Sequence, residues 1–499
     1  METGVERIQR RKFLCISAFL IVLFLVIIPF AVFAADFYVL PYDADAFNGN
    51  GISSMRVVKI GADGAWNGLE NINWDKIHAG DRVLLQCGAE YYGQIKIVKS
   101  GEPGKYVIFS IFGNGANPAI SGGKQLSQRQ IDWHLESQQQ RWVCAEFADG
   151  SWSNGIYNAA VVDGKPLKRS YSSDFRFFYG EFSNACFNIS VFPDSEPWKH
   201  KIYVATLQYN VLVNGKNYIK FNHIDFTLAN GWSQPQFGSV HIINNSKHVE
   251  FAHCSISNGA FSGFWVDSSD YITINNCEIY GNYCTGFYFR AGSSYATISG
   301  CKIYRNGKYL SVNNATDTGG LLMGSSGIGK GHLIENNEIY NNANQTVADR
   351  VDGKAPNGNY FWSKYNGNIW KKNLSSLKRW AGAATNQGVW FLGINNKPVE
   401  QAEGKNLCSP KKRWFWDRRT ETLFFYSEVD PNNFSGEIEI AWKNGPDPAI
   451  SLWGITDTIV KNNFVHDNFS SGIGVAYTTS ANVAIENNRV ENGMEIKHF

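Results

Sequence analysis

The sequence predicts an all-β protein, a right-handed parallel β-helix solenoid with two β-rich insertions. Its clearest sign is a repeat in Val240–Gly307, where Cys254, Cys277 and Cys301 recur at intervals of 23 and then 24 residues. Inside each unit apolar residues alternate, as in YITIN at 271–275, which is the pattern of a half-buried strand. A fixed period of about 20 to 25 residues indicates a solenoid. Short strands with no helical stretch between them favour a parallel β-helix.

The same register recurs elsewhere in the chain and predicts columns of stacked side chains. Coils of a β-helix lie about 4.8 Å apart, so equivalent residues should lie over one another. Asparagine amides can hydrogen-bond along such a column, and small thiols can fill the same position. A second column is expected to hold Tyr280, Tyr304, Tyr340 and His466. The first column should contain Ile224, Cys254, Cys277, Cys301, Asn337, Asn463 and Asn488.

Residues 1–35 read as a signal peptide or a signal anchor. Residues 1–12 carry four basic side chains, and the uncharged apolar run 13–33 follows. That run is long enough to span a bilayer, while Val32 and Ala34 also suit cleavage by a signal peptidase. A basic flank stays in the cytoplasm. We therefore expect an extracytoplasmic protein, either secreted or held to the membrane through residues 13–33.

The rest of the chain divides into coils and insertions. The two insertions resemble each other, and Lys165-Pro166 and Lys397-Pro398 mark equivalent turns of small antiparallel modules. Such excursions either border a groove or merely decorate the wall of the solenoid. The last coil has no polar cap, so either its final residues fold over the stack or the chain is a fragment. The expected segments are first coils at 36–130, an insertion at 131–205, central repeats at 206–345, a loop and second insertion at 346–442, and last coils at 443–499.

Three phrases near the start carry a resemblance to a known superfamily. They are AGDRVLLQCG at 79–88, GEPGKYVIFS at 101–110 and GANPAISG at 115–122. They resemble the opening of secreted right-handed β-helix proteins of the pectin-lyase-like superfamily, with its chondroitinase-B-like and alginate-acting members. The resemblance covers most of 36–130 and the coils after 206, and its phrases are specific for the fold rather than for the substrate.

Two signatures of these relatives are missing. Chondroitinase-B-like enzymes carry a calcium cluster with an N-G-G-E-type signature, and alginate epimerases of this fold carry a D-P-H motif. This sequence contains neither. No cofactor is identified, and calcium stays open without a ligand signature.

Composition excludes other classes of partner. A net charge of +2 gives no reason to expect nucleic acid, and 14% aromatic with 18% charged residues fits a sugar-handling protein. The stretch Gly324–Gly331 imitates a phosphate-binding loop, but Gly331 replaces the required Ser or Thr and Ile334 begins a strand. We therefore expect no nucleotide.

Alternation along the strands predicts a glycan-binding surface. If Val266 and Phe289 face the core, the residues beside them face outward. Flat aromatic faces stack on pyranose rings, and arginine pairs with carboxylates through two hydrogen bonds. The expected ligand-binding residues are Asn244, Trp265 and Tyr288, and the expected charged pair is Asp267 and Arg290.

These residues suggest a lyase or epimerase of a uronate-containing glycan. Arg290, paired with Asp267, would neutralise the carboxylate of the uronate. Lys330 or His332 would remove the C5 proton. Two alternatives stay open: a non-catalytic glycan-binding or adhesion module, and a glycosidase. The glycosidase ranks lower because it needs two facing carboxylates. Asp267 and Arg290 could also form no more than a surface ion pair.

Overall fold

The computed structural model describes most of the chain beyond residue 33. Residues 36–499 form one compact unit, and of the separate unit Met1–Ala35 only Ala34 and Ala35 are described. The predicted signal segment 13–33 therefore lies outside the described residues. In the part that is described, no helix is long and apolar enough to cross a membrane. The described residues are 34–43, 45, 46, 48–56, 64–136, 141–144, 159–166, 180–183, 186–189, 196–231, 237–307, 319–324, 327–342, 346–348, 362–373, 389–394, 397–433, 438–442, 448–468, 471–476, 480–491 and 497–498.

Three sheets of parallel strands form the walls of the solenoid. Sheet 1 contains Trp66–Asn67, Asp36–Leu40, Arg82–Gln86, Val107–Phe112, Asn217–Asn222, Lys247–Ala252, Asp270–Asn275, Thr297–Ser299, Leu333–Glu335, Ile455–Lys461, Gly329–Lys330 and Ala481–Glu486. Sheet 2 contains Glu90–Tyr92, Ala119–Ser121, Asp225–Thr227, Ser255–Ser257, Glu278–Tyr280, Lys302–Tyr304, Glu338–Tyr340, Phe464–His466 and Arg489–Glu491. Sheet 3 contains Ile95–Lys96, Val211–Asn214, Gly238–Ile243, Ser262–Asp267, Thr285–Arg290, Gly319–Met323, Ile450–Trp453, Ile473–Ala476 and Lys497–His498.

Each coil passes through the three sheets in turn. One coil runs through Ser262–Asp267 in sheet 3, Asp270–Asn275 in sheet 1 and Glu278–Tyr280 in sheet 2, and the chain then returns to sheet 3 at Thr285–Arg290. Strands of successive coils pair in parallel, as Phe264 does with Phe287. This topology confirms the predicted parallel β-helix.

The interior is filled by large apolar side chains that stack from coil to coil. The rings of Phe264 and Phe287 lie 5.0 Å apart, and those of Phe221 and Phe251 lie 4.7 Å apart. All four side chains have no exposed surface. Burial of one such side chain contributes about 1.5–3 kcal/mol, so repetition along the stack stabilises the whole solenoid.

The predicted cysteine and asparagine column exists at the corner between sheets 1 and 2. Cys301 donates its backbone N–H to Asn337 Oδ1 at 2.9 Å. Asn337 then donates Nδ2 to Asn463 Oδ1, and Asn463 donates Nδ2 to Asn488 Oδ1, both at 2.9 Å. Burial raises the pKa of the Cys277 thiol well above its usual value. Cys277 thus occupies the column as a neutral thiol.

A second asparagine ladder, which the repeat pattern did not predict, lies at the corner between sheets 2 and 3. Asn282, Asn306, Asn342 and Asn468 are all buried. Each of the first three donates Nδ2 to Oδ1 of the next, at 2.9, 3.0 and 3.1 Å. Each of the four amides also donates to a carbonyl of sheet 2, such as Ile279 O for Asn306 at 2.9 Å. The two ladders together fix the register of neighbouring coils.

Aromatic rings also stack along the outside. The predicted column is confirmed, with ring centroids 5.0, 5.0 and 5.1 Å apart along Tyr280, Tyr304, Tyr340 and His466. A column that the sequence analysis missed has centroids 4.6, 4.9 and 4.8 Å apart along Tyr218, His248, Tyr271 and Tyr295. Rings in such columns cover each other's faces, so mainly their edges meet solvent.

Antiparallel strand pairs predominate in the two insertions, but Lys397–Gln401 pairs in parallel with Lys412–Asp417. Val162 pairs with Lys165 in the first insertion and Ile394 pairs with Lys397 in the second, so each Lys-Pro pair begins the second strand of an antiparallel hairpin. In the first insertion one sheet contains Lys165–Pro166, Ala160–Val162, Ile202–Ala205 and Gly123–Gln125, and the other contains Gly180–Ser183, Cys186–Ile189, Arg141–Cys144 and Trp133–Glu136. The second insertion contains Thr346–Ala348, Ile438–Trp442, Val389–Ile394, Lys397–Gln401, Lys412–Asp417, Thr422–Tyr426, Ile369–Asn373 and Ser363–Asn366.

Short 3₁₀ helices occupy Leu69–Asn71, Trp74–Lys76, Gln130–Asp132, Pro197–Lys199, Lys405–Leu407 and Pro431–Asn433.

We expect Asn306→Ala to lower the free energy of unfolding by about 2–4 kcal/mol, because it leaves several buried ladder groups without partners. Asn222→Ala is the matched control, since Asn222 lies half-buried on the outward face of sheet 1. Its loss should cost under about 0.5 kcal/mol. Denaturant unfolding of the two variants measures this, and equal losses would show that the ladder does not stabilise the solenoid.

Candidate functional site

The outer face of sheet 3 carries two columns of side chains. Phe264 and Val266 face the interior and are fully buried, so the residues between and after them face outward. The His241 column contains Leu212, His241, Trp265, Tyr288, Leu322 and Ser451. The Arg290 column contains Asp267, Arg290, Gly324, Trp453 and Ala476.

Trp265 and Tyr288 face outward as predicted, but they do not form an exposed stacking surface. Only 5% and 6% of these side chains are exposed. The expectation of two open aromatic faces is therefore wrong. The residues packed with them include Ala159, Val161, Tyr203 and Ala205, from the sheet of the first insertion and its edge. These rings attach the insertion to the wall.

Asp267 and Arg290 form the ion pair that the sequence analysis left open. Arg290 Nε lies 3.4 Å from Asp267 Oδ2, and each side chain is about 30% exposed. The guanidinium carbon also lies 4.9 Å from the centre of the Trp265 ring and 5.8 Å from that of Tyr288. The exposed ion pair contributes under about 1 kcal/mol. Its main effect, together with the cation–π contacts, is to hold the guanidinium in one orientation.

Asn244 lies one position away from where the register predicted it. It follows the strand Gly238–Ile243 in a left-handed turn conformation, with φ of 57°, and donates Nδ2 to Asn214 Oδ1 at 2.8 Å. Its turn is longer by one residue than the next one, since Ile242 pairs with Val266 but Lys247 pairs with Asp270. Counting back from the cysteines therefore shifted this strand by one position.

Lys330 and His332, the predicted bases, do not lie in sheet 3. Lys330 belongs to sheet 1, where its Nζ lies 5.8 Å from the centre of the Tyr295 ring. His332 is 2% exposed, and its Nδ1 accepts the backbone N–H of Ala296 at 3.2 Å. Burial lowers its pKa to about 4. His332 is thus a bonded core residue, and the expectation that it would act as a base beside Arg290 is wrong.

His241 is the residue that the register error concealed. It lies directly beside Trp265 on the outer face, with ring centroids 6.3 Å apart, and Phe237 packs edge-on against it at 4.7 Å. The side chain is 4% exposed, and its Nδ1 is buried with no hydrogen-bond partner. Burial lowers its pKa to about 4, and the negative charge of Asp267 opposes that shift. Pairing the strands rather than counting from the cysteines would have revealed this position.

Trp453 is the exposed aromatic residue of the Arg290 column. Its side chain is 47% exposed, and its Nε1 donates to Ser451 Oγ at 2.7 Å. Its neighbours in the column are the small residues Gly324 and Ala476. Gly324 has φ of 94°, and a Cβ there would collide with the carbonyl oxygen of Trp453. The column is therefore without a side chain between Arg290 and Trp453, over two coil spacings or about 10 Å.

In the ranges that the structure describes, no group of three or more His, Cys, Asp and Glu side chains is placed to hold a metal ion. The calcium left open by the sequence has no ligand set there.

Comparison with known proteins agrees with this architecture. Residues 209–373 match the family model described as right handed beta helix region, and the chain has a right-handed parallel β-helix fold. No curated protein matches the sequence.

Solved structures similar to the chain share little sequence with it. The pectate lyase Pel9A is 14% identical with a TM-score of 0.34, and the match covers 62% of this chain and 64% of that one. A structure titled glycoside hydrolase is 10% identical with a TM-score of 0.41, covering 93% and 97%. An alginate lyase from Paenibacillus sp. str. FPU-7 is 11% identical with a TM-score of 0.28, covering 86% and 95%. The chain thus spans less than two thirds of the pectate lyase.

Replacing the covered Trp265 should destabilise the solenoid strongly, whereas replacing the exposed Trp453 should not. We expect Trp265→Ala to lower the free energy of unfolding by about 3–5 kcal/mol, because a large buried side chain is removed. Trp453→Ala should change it by less than about 1 kcal/mol. Denaturant unfolding compares the two, and a small loss for Trp265→Ala would mean that the first insertion does not depend on this ring.

The two buried histidines should make stability fall in mild acid. Their folded pKa of about 4 lies below the ordinary value of 6.5, so the unfolded chain takes up protons first as the pH falls. The free energy of unfolding is highest above about pH 6.5 and falls towards pH 4. Each histidine lowers it by on the order of 3 kcal/mol over that range. Unfolding measured between about pH 7 and 5 should show this slope, and His332→Gln should reduce it. A flat profile would contradict the burial of both rings as neutral groups.

Proposed function

We propose that the protein binds and modifies an acidic, uronate-containing polysaccharide along the outer face of sheet 3. The observation that carries this is the Arg290 column, which places a fixed guanidinium and an exposed tryptophan on one line with only Gly324 between them. Such a line accommodates an extended chain running parallel to the solenoid axis.

The chemistry of the two side chains selects the ligand. A tryptophan face stacks on the apolar face of a sugar ring. A guanidinium has five N–H donors in a planar fork, which matches a carboxylate through two hydrogen bonds. Arg290 and Trp453 together would then bind a polymer that carries both carboxylates and open ring faces.

The reaction we propose is lyase or epimerase chemistry at C5 of a uronate. Arg290 would neutralise the carboxylate, which makes the neighbouring proton easier to remove. The positions of Lys330 and His332 outside sheet 3 favour the alternative of a binding module without catalysis. A glycosidase ranks below both, because Asp267 pairs with Arg290 on the next coil rather than with a second carboxylate.

We also propose that the protein works outside the cytoplasmic membrane. The support is the sequence pattern of residues 1–35, with its basic start and apolar run. A polymeric acidic glycan would be met in that compartment.

Binding of polygalacturonate or alginate, compared with a neutral glucan, tests the ligand class. Trp453→Ala should weaken polyuronate binding about tenfold or more, since a stacking contact contributes about 1–2 kcal/mol. Arg290→Lys should weaken polyuronate but not neutral binding, because lysine loses the two-pronged contact. Isothermal titration calorimetry measures both.

Arg82→Lys is the matched control, because Arg82 pairs with Asp36 at 2.6 Å on sheet 1, away from the proposed line. It should bind as the parent does. If Trp453→Ala and Arg290→Lys also bind as the parent does, the outer face of sheet 3 is not the site. Ultraviolet absorbance of an unsaturated product, or solvent exchange of the C5 proton seen by NMR, then separates lyase, epimerase and binding module.

A further inference from the structure

We propose that His241 is the proton acceptor of this surface, the residue that removes the C5 proton of a uronate whose carboxylate Arg290 holds. The inference rests on the proposed function and adds the catalytic base that it lacks. The imidazole and the guanidinium both lie against Trp265, which is 6.3 Å from the His241 ring centre and 4.9 Å from the guanidinium carbon.

The unpartnered Nδ1 is the first support. A buried nitrogen without a hydrogen bond has lost its bond to water without a replacement, and most buried polar atoms of folded proteins have a partner. At His241 the side chain is 4% exposed and Nδ1 has no partner. The structure thus retains a buried polar atom whose bonding a ligand can complete.

His332 shows how this fold treats a histidine with a structural role. It is as buried as His241, at 2% exposed, yet its Nδ1 accepts the N–H of Ala296 at 3.2 Å. It also lies in the interior of the solenoid, whereas His241 lies on the outer face of sheet 3. Burial alone therefore does not account for the missing partner of His241.

The surroundings keep the imidazole neutral, as a proton acceptor must be. Rings of Tyr209, Phe237 and Trp265 surround it. Burial lowers the pKa to about 4, against the opposing charge of Asp267. Among the described residues, two cations also lie against the rings that surround it: Arg290, over Trp265, and Lys96, over the Tyr209 ring at 5.9 Å.

The reaction balances without a cofactor. A ring nitrogen of His241 takes the C5 proton, the electron pair of that bond forms the C4–C5 double bond, and the C4–O bond breaks. The leaving oxygen takes the proton from the imidazolium, which restores neutral His241. In the epimerase version the electron pair moves into the carboxylate as an enolate, a water molecule gives a proton to C5 from the opposite face, the imidazolium gives its proton to the resulting hydroxide, and no C–O bond breaks. Access of a sugar ring to the imidazole requires displacement of the Phe237 ring, which packs edge-on against it at 4.7 Å.

The test uses the full chain with polygalacturonate and alginate. His241→Ala should lower the rate of elimination or of C5 proton exchange at least 100-fold, while calorimetric binding changes by less than about threefold. Added free imidazole should restore part of the rate. His332→Gln, the matched control, should retain the parent's rate per folded molecule, with folding checked by circular dichroism.

The pH profile gives a second readout. The parent rate should rise through about pH 4, where the imidazole becomes neutral, rather than through the ordinary histidine value of 6.5. A parent that binds polyuronate but neither eliminates nor exchanges would overturn the inference and leave a binding module. An unchanged rate in His241→Ala would also overturn it. Failure of the parent to bind any polyuronate would instead reject the proposed function itself.

Discussion

Amide-to-amide hydrogen bonding between stacked coils is the interaction on which the rest of this structure depends. Parallel strands alone leave the register of a coil open to slippage, and a shift of one residue would turn every side chain to the other face. The ladders through Asn337 and Asn306 prevent this at two of the three corners, because each amide bonds both the next amide and a strand carbonyl. Buried amides bonded in this way are costly to break singly. The positions of Arg290 and Trp453 on the outer face follow from that fixed register.

The first insertion determines which part of that face stays open. It covers Trp265 and Tyr288, whose rings would otherwise form an apolar patch on the wall. Arg290 lies over both rings and remains partly exposed beside them. The insertion thus buries Trp265 and Tyr288, which could otherwise stack on sugar rings, and their rings contact the Arg290 guanidinium instead. The exposed aromatic side chain of this face is instead Trp453, in the Arg290 column.

Much of the fold could be predicted from the sequence, and the reason is its repetition. The cysteine and asparagine column and the tyrosine column both follow from a fixed spacing, which translation along a stack converts directly into contact. The second ladder through Asn282 and Asn306 was not predicted. Asparagine is favoured in turns for local reasons, so its presence there does not indicate a ladder.

The candidate site was less predictable, because two of its determinants are not periodic. Trp265 is buried by residues of the first insertion, which begins about a hundred residues earlier in the chain. The sequence around Trp265 does not predict such a contact. The extra turn residue near Asn244 broke the count from the cysteines and concealed His241. Inward and outward positions were still right at Val266 and Phe289, since alternation within one strand does not depend on turn length.

A crystal structure of the protein with a bound oligogalacturonate or oligoalginate tests the central claim most directly. The account predicts sugar density along the outer face of sheet 3, with one carboxylate on Arg290 and one ring face against Trp453. Density confined to another wall, with Arg290 and Trp453 unchanged and clear of the ligand, would contradict it.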